Sequence, residues 1–235
     1  MHKKTRLAVS LVLASSFIFA VGCGEADSVP SASASPDIIN LPEPVYDSDT
    51  SLEEALLARR SIRDYSSGAL TLAELSQILW AAQGITDPSG KRTAPSAGAL
   101  YPLEVYIVVG DVEGLPEGIY KYRPDSHTLA RVGEGDHRQA LSQAALSQEC
   151  VQQGAIDIVI AAVYERVTGK YGDRGVRYVH LEAGHAAQNI CLQVVALKLG
   201  AVTVGAFDDD DVKKILGAAA DEEPLYILPV GRIDN

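Results

Sequence analysis

The pattern of apolar and polar positions divides the chain into three parts. Residues 1–22 contain a basic start followed by an apolar run of sixteen residues, 7–22, interrupted only by three serines. Residues 24–50 are rich in Ser, Ala, Pro and acidic residues, and their apolar positions show no helical or strand period. From Ser51 onward, apolar positions recur at the spacings of helices and strands. The pattern therefore predicts a leader (1–22), a flexible segment (23–50) and one folded domain (51–235).

Helices and strands alternate in the predicted domain. Ser51 with Glu54, and Thr71 with Glu74, have the form of capping boxes, so helices are expected from 52 through Arg60 and over 72–83. Further helices are expected at about 136–148, 176–199 and 209–216. Strands are expected at 104–110, at 155–165, in a hairpin over 118–123 and 128–132, and near the C-terminus. This mixture predicts an α+β or mixed α/β fold.

The leader has the features of a secretory signal. Its apolar run is shorter than the roughly 20 residues that a membrane-spanning helix needs, and it follows Lys3, Lys4 and Arg6. It ends in Ala20-Val21-Gly22-Cys23, which resembles the lipobox of bacterial lipoproteins. We therefore expect a lipoprotein signal peptide, lipidation of Cys23, and a membrane-anchored location outside the cytoplasm, in the periplasm or at the cell surface. A plain signal peptide or an uncleaved anchor are the alternatives.

The net negative charge of the chain argues against some classes of function. The chain has 20 Lys and Arg against 31 Asp and Glu, and without the three cations of the leader its net charge is −14. Such an acidic chain is not expected to bind nucleic acid, because phosphate backbones require a basic surface. The sequence contains no P-loop, dinucleotide fingerprint, zinc-protease or serine-hydrolase motif, and no metal site is predicted.

A cluster of cations stands out in this acidic domain. Arg59, Arg60 and Arg63 fall within five residues, with Ser61 among them, and a continuous helix would place Arg63 on the same face as the other two. Forked guanidinium donors and a hydroxyl suit a phosphate dianion. A solvated basic helix end is the alternative interpretation.

Five motifs in order carry a resemblance to a known family. They are LARRSIRDY, APSAGALYPLEVYIV, KYGDRGVRYVHLEAGHAAQN, VGAFDDDDVKKILG and LPVGR. Together they resemble the nitroreductase superfamily, and within it the SagB/ThcOx-type dehydrogenases. The resemblance implies an α+β fold with a mixed, mainly antiparallel sheet flanked by helices. It also implies an FMN-dependent oxidoreductase that works as a homodimer, with a small-molecule or peptide substrate and NAD(P)H as a candidate electron donor.

The same resemblance implies roles for individual residues. The FMN phosphate and ribityl chain would be held by Arg59, Arg60, Ser61 and Arg63. The flavin would be lined from the partner subunit by Pro95, Ser96, Ala97 and Gly98. The flavin edge would receive backbone N–H groups from Gly205 and Ala206, and a second phosphate ligand would be Arg232.

Lys170 and Tyr171 match the Lys-Tyr pair that azole-forming relatives use for deprotonation. The alternative is an ordinary polar surface loop between Gly169 and Gly172. The leading hypothesis is therefore an oxidoreductase that transfers two electrons through FMN in a ping-pong cycle, with a small-molecule or peptide substrate. The alternatives are dehydrogenation of an azoline to an azole, and a non-enzymatic flavin-binding or scaffolding lipoprotein.

Overall fold

The computed structural model describes residues 37–234. The strands are β1 (Ile38–Asn40), β2 (Leu103–Val109), β3 (Gly118–Arg123), β4 (Thr128–Glu134), β5 (Ile156–Val163), β6 (Leu199–Ala201) and β7 (Glu222–Arg232). The helices are α1 (Leu52–Ala58), α2 (Leu72–Gln83), α3 (Arg138–Ala144), α4 (Glu149–Gln153), α5 (Glu165–Tyr171), α6 (Arg174–Ala196) and α7 (Asp209–Leu216). A single 3₁₀ turn covers Ala97–Ala99.

The strands form one sheet in the order β1-β4-β3-β2-β5-β7-β6, and neighbouring strands are antiparallel throughout. Every residue of β5 is buried, because α2 and α6 cover one face of the sheet and α3, α4 and α7 cover the other. The face under α2 and α6 contains the larger hydrophobic core, and the opposite face contains the smaller core. The predicted α+β class is confirmed.

Both capping boxes are present, but the first helix ends earlier than expected. α1 stops at Ala58, and Arg59 has an extended ψ of 122°. The backbone N–H of Ile62 then donates to the carbonyl oxygen of Ala201 at 2.9 Å, which draws the chain toward β6. The prediction that a helix continues through Arg60 is therefore wrong, and the arginines do not share a helical face.

The domain also begins earlier than Ser51. β1 pairs with β4, and the side-chain amide of Gln77 exchanges hydrogen bonds of 2.8 and 3.0 Å with the backbone of Val45. Tyr46 packs on Trp80 with ring centroids 5.4 Å apart. The predicted flexible segment is therefore wrong for residues 37–50, which are held by backbone pairing and a few side chains rather than by a periodic apolar face.

The predicted signal peptide and Cys23 lie outside the described residues. Within 37–234, no helix is long and apolar enough to cross a bilayer. The helix expected at 136–148 is shorter than predicted, since α3 ends at Ala144 and α4 begins only at Glu149. Leu146 and Ser147, between them, adopt positive φ angles of 58° and 60° that interrupt the helix. Cys150 and Cys191 are both buried and free.

Candidate active site

The loop from Pro95 to Tyr101 is held in a strained conformation. Gly98, Ala99 and Tyr101 have φ angles of 66°, 53° and 45°, and the two that are not glycine occupy a region that costs on the order of 1 kcal/mol or more each. The backbone N–H of Tyr101 donates to Ser96 Oγ at 2.9 Å. The guanidinium of Arg92 lies 4.4 Å from the centre of the Tyr101 ring. Such strain persists only where neighbouring groups fix the backbone, and it is common at functional sites.

Lys170 and Tyr171 lie directly against this loop, at the end of α5. A Cβ atom on Gly98 would stand 2.7 Å from Tyr171 Oη and 3.0 Å from Lys170 Nζ. Lys170 Nζ is 5.3 Å from the centre of the Tyr171 ring, whose edge packs on Tyr178. The structure therefore brings two predicted sets together, the Lys-Tyr pair and the Pro95–Gly98 loop.

An ionic network fixes α5 to the sheet. Arg166 of α5 donates to the carbonyl oxygen of Tyr101 at 3.0 Å and forms an ion pair with Glu104 of β2. Lys121 of β3 lies between Glu104, at 3.1 Å, and Glu222 of β7, at 2.5 Å. The network holds the Lys-Tyr pair and the C-terminal end of the loop in one frame.

Glu182, which sequence reasoning did not single out, lies beneath the loop. It is 2% exposed, and neither carboxyl oxygen has a hydrogen-bond partner among the described residues. Burial raises the pKa of Glu182 to about 7, although the Ser96 hydroxyl and the charge of Arg92 act to lower it. The only available sequence signal was an acidic residue on a helix face otherwise formed by Val179, Ala183 and other small apolar residues.

The predicted phosphate-binding segment is a surface segment after α1. Arg60 donates to the carbonyl oxygens of Leu57 and Arg59, at 2.9 and 2.7 Å, so it caps the end of α1 as the alternative interpretation described. Within residues 37–234, the side chains of Arg59, Ser61 and Arg63 form no hydrogen bond or ion pair. Their donors are therefore free to bind an anion.

Gly205 and Ala206 form an exposed turn between β6 and α7. In the described part of the chain neither backbone N–H donates a hydrogen bond, while the carbonyl oxygen of Ala206 accepts one from Gln148 at 3.1 Å. The Gln148 side chain lies beside α4, whose Cys150 has its thiol pKa raised by burial and lowered by the nearby charge of Arg63. The turn and Arg63 therefore border the same helix.

Arg232 does not belong to this group, and its bonds do not support the predicted role as a second phosphate ligand. Its guanidinium forms a two-pronged ion pair with Glu74, with distances of 2.7 and 2.8 Å. It also donates twice to the carbonyl oxygen of Ala69, at 3.1 and 2.8 Å. These bonds occupy most of its donors and tie β7 to the start of α2.

The predicted cofactor residues thus fall into two groups. The first group is the Pro95–Gly98 loop with the Lys-Tyr pair, and its neighbours Leu100 and Tyr171 pack on the larger core. The second group includes Arg63 and Ala206, and the adjacent Tyr65 and Phe207 pack on the smaller core. Free guanidinium groups and free backbone N–H donors in the second group fit a phosphate and the polar edge of a flavin. No cluster of three or more potential metal ligands occurs in 37–234.

Comparison with known proteins gives three findings. The family model described as the nitroreductase family matches residues 56–232. A Methanocaldococcus jannaschii protein named as a nitroreductase is 51% identical over 181 residues, covering 77% of this chain and 90% of its own length. A crystal structure of an Anabaena variabilis protein, also named as a nitroreductase, is 33% identical with a TM-score of 0.75, covering 85% of this chain and 42% of its own.

A more distant relative is the microcin B17-processing protein McbC of Escherichia coli. It is 28% identical over 154 residues, covering 63% of this chain and 56% of its own length. This chain therefore spans about half the length of McbC and less than half the length of the Anabaena protein.

Proposed function

Because the chain belongs to the nitroreductase family, we propose that it is an FMN-dependent oxidoreductase acting on a small-molecule or peptide substrate. Members of this family typically use FMN. Bound FMN would supply reversible two-electron transfer, while the protein supplies binding, orientation and electrostatics. NAD(P)H is the proposed electron donor, in a ping-pong cycle.

The observation that carries the proposal is the set of unused donors in the segment after α1 and in the Gly205–Ala206 turn. Arg59, Ser61 and Arg63 would hold the phosphate, because their donors have no internal acceptor among the described residues. The backbone N–H groups of Gly205 and Ala206 would contact the polar edge of the flavin, since the turn is exposed and places little side chain in the way. Arg60 would contribute only the donors that capping leaves free.

We propose that the Pro95–Gly98 loop serves the flavin held by a second copy of the chain. Exposed apolar side chains lie on α1 and α6, which pack together: Leu52 60%, Leu56 52%, Leu57 77%, Val176 40% and Leu181 54% exposed. Large exposed apolar side chains on neighbouring elements favour an interface. A two-fold dimer would place one group of candidate residues from each chain at each site.

Flavin content tests the cofactor proposal. We expect the full chain, purified in detergent, to show flavin absorbance that bleaches on reduction. Arg63→Ala should lose bound FMN, whereas Arg123→Ala, an exposed arginine on β3, should retain it as the matched control. A colourless, monomeric protein that ignores added FMN would contradict the proposal and favour the scaffolding lipoprotein.

Complementation tests the two-chain site. Arg63→Ala and Lys170→Ala alter different groups, so a dimer with one chain of each variant keeps one intact site and one doubly altered site. Unfolding and refolding an equal mixture should restore about a quarter of wild-type activity, because half of the dimers are mixed and each has one working site. A site contained within a single chain would give no recovery.

The contact of Lys170 and Tyr171 with the loop favours a second candidate function, azoline dehydrogenation. Lys170 would act as the base that accepts the proton from the ring atom adjacent to the carbon that loses a hydride to the flavin. Lys170→Ala should abolish dehydrogenation with flavin absorbance intact, and Lys214→Ala, an exposed lysine on α7, should not. Unchanged turnover in Lys170→Ala would exclude this role.

We further propose that the protein is a lipoprotein outside the cytoplasm, with 1–22 as signal peptide, Cys23 lipidated and a tether that ends before β1. The support is the basic, apolar and small-residue order of the leader. Labelling with a fatty acid should mark the wild-type protein and not Cys23→Ser. Equal labelling of both would contradict lipidation at Cys23.

A further inference from the structure

We propose that Glu182 is a positioning residue beneath the Ser96–Tyr101 loop, and that the loop closes over its carboxyl group with uptake of one proton. This goes beyond the proposed function. It rests on that function only in treating the loop as part of the cofactor site.

Glu182 is buried in the part of the molecule where α6 contacts the loop. Glu182 belongs to the buried face of α6, which contacts the 3₁₀ turn of the loop, and it is 2% exposed. The Ser96 hydroxyl acts on the carboxyl group of Glu182 and lowers its pKa, although no hydrogen bond joins the two side chains. Because Ser96 Oγ already accepts the Tyr101 N–H, the hydroxyl proton of Ser96 is free to point toward Glu182.

Among the described residues, no cation forms an ion pair with Glu182. Arg92 is the one cation whose charge acts on it, but Arg92 donates to Gln83 Oε1 at 2.9 Å and stacks on Tyr101. Lys170 and Tyr171 lie against Gly98, and neither is among the groups that shift the pKa of Glu182. A buried carboxylate without a paired cation is costly, so the neutral acid is favoured while the loop is closed.

The sign of the pH dependence follows from this burial. With the loop closed, the pKa of Glu182 is about 7, and burial is the largest cause. With the loop open and the carboxyl hydrated, it returns toward its ordinary 4.5. The equilibrium constant for loop closure is therefore largest below pH 4.5. It falls as pH rises to about 7, by at most tenfold per pH unit and about 300-fold in all. A ligand that binds the closed loop would bind with proton uptake.

Hydrogen exchange on the full chain without FMN tests the inference directly. We expect protection factors of amides in residues 96–101 to fall between pH 5 and pH 7.5 in the wild type. They should stay high and flat in Glu182→Gln, which cannot ionise. Glu165→Gln, an exposed glutamate at the start of α5, should behave as the wild type. A flat wild-type profile, or an equal slope in Glu182→Gln, would overturn the proposal.

A second variant covers the case in which Glu182→Gln does not fold. Ser96→Ala removes the hydroxyl that stabilises the ionised form, so the fall in protection should extend to higher pH than in the wild type. An unchanged profile in Ser96→Ala would also overturn the proposal.

Calorimetry separates this inference from the proposed function. FMN binding measured in two buffers of different ionisation enthalpy should show proton uptake in the wild type and none in Glu182→Gln. Absence of any FMN binding would contradict the proposed function, while the exchange profiles would still decide the role of Glu182.

Discussion

Replacing Gly98 with alanine should separate the placement of the Lys-Tyr pair from the stability of the fold. The added Cβ atom would lie 2.7 Å from Tyr171 Oη and 3.0 Å from Lys170 Nζ, where ordinary contacts begin at about 3.4 Å. Both are the far ends of flexible side chains, so they would move by roughly 0.5–1 Å rather than unfold the protein.

The expected magnitudes differ for stability and for rate. Alanine at the left-handed φ of 66° costs about 1–2 kcal/mol. A misplacement near 1 Å can cost about 100-fold in rate. The proposed azoline dehydrogenation should therefore fall by about two orders of magnitude in Gly98→Ala while most of the folding stability remains.

Gly217→Ala is the matched control. Gly217 has a φ of 61°, and nothing lies within 4 Å of the position that an added Cβ atom would take, so the backbone cost is similar and no side chain is displaced. Denaturant unfolding should show similar losses for both variants, and turnover should fall only in Gly98→Ala. Equal turnover in the two variants would refute the idea that Gly98 sets the position of Lys170 and Tyr171.

Three other perturbations have defined outcomes. Burial raises the pKa of Asp157, so wild-type stability should fall by up to about 1.4 kcal/mol per pH unit above 3.8, and Asp157→Asn should remove this slope in unfolding curves at pH 3–8. Arg232→Ala should cost about 2–3 kcal/mol of folding stability by breaking its pair with Glu74, with the FMN affinity of the folded protein unchanged. If the proposed dimer uses this surface, Leu57→Glu should convert it to a monomer in sedimentation experiments, since Leu57 is 77% exposed on α1.

The sequence predicted elements well where a local signal fixed them. Both capping boxes and the hairpin around 124–127 form as expected, because each depends on residues within a few positions of one another. The end of α1 depends instead on a bond from Ile62 to Ala201, far along the chain. β1 likewise depends on β4, which nothing in its own three residues could reveal.

In the candidate site, too, contacts between residues far apart in the sequence could not be predicted from local motifs. The motifs singled out the Pro95–Gly98 loop and the Lys170-Tyr171 pair separately, and the contact between them appears only in the structure. Arg232 matched a role by position, but its partner Glu74 lies 158 residues away and determines what its guanidinium does. Glu182 has no motif of its own, and only the packing of the loop above it makes its carboxyl group unusual.

The two groups of candidate residues supply different parts of the proposed chemistry. Arg59, Arg63 and the Gly205–Ala206 turn offer cations and N–H donors, which can hold a cofactor but cannot exchange protons near neutral pH. Glu182 can exchange a proton near neutral pH, and its neighbours on α6, Val179 and Ala183, belong to the other core, on which Tyr171 also packs. Because hydride transfer to or from a substrate also moves a proton, neither group is sufficient alone. The exposed apolar side chains of α1 lie just before the arginines along the chain. Those of α6 lie on the same helix as Glu182. A dimer that buries both sets would therefore join cofactor binding to proton exchange across the interface.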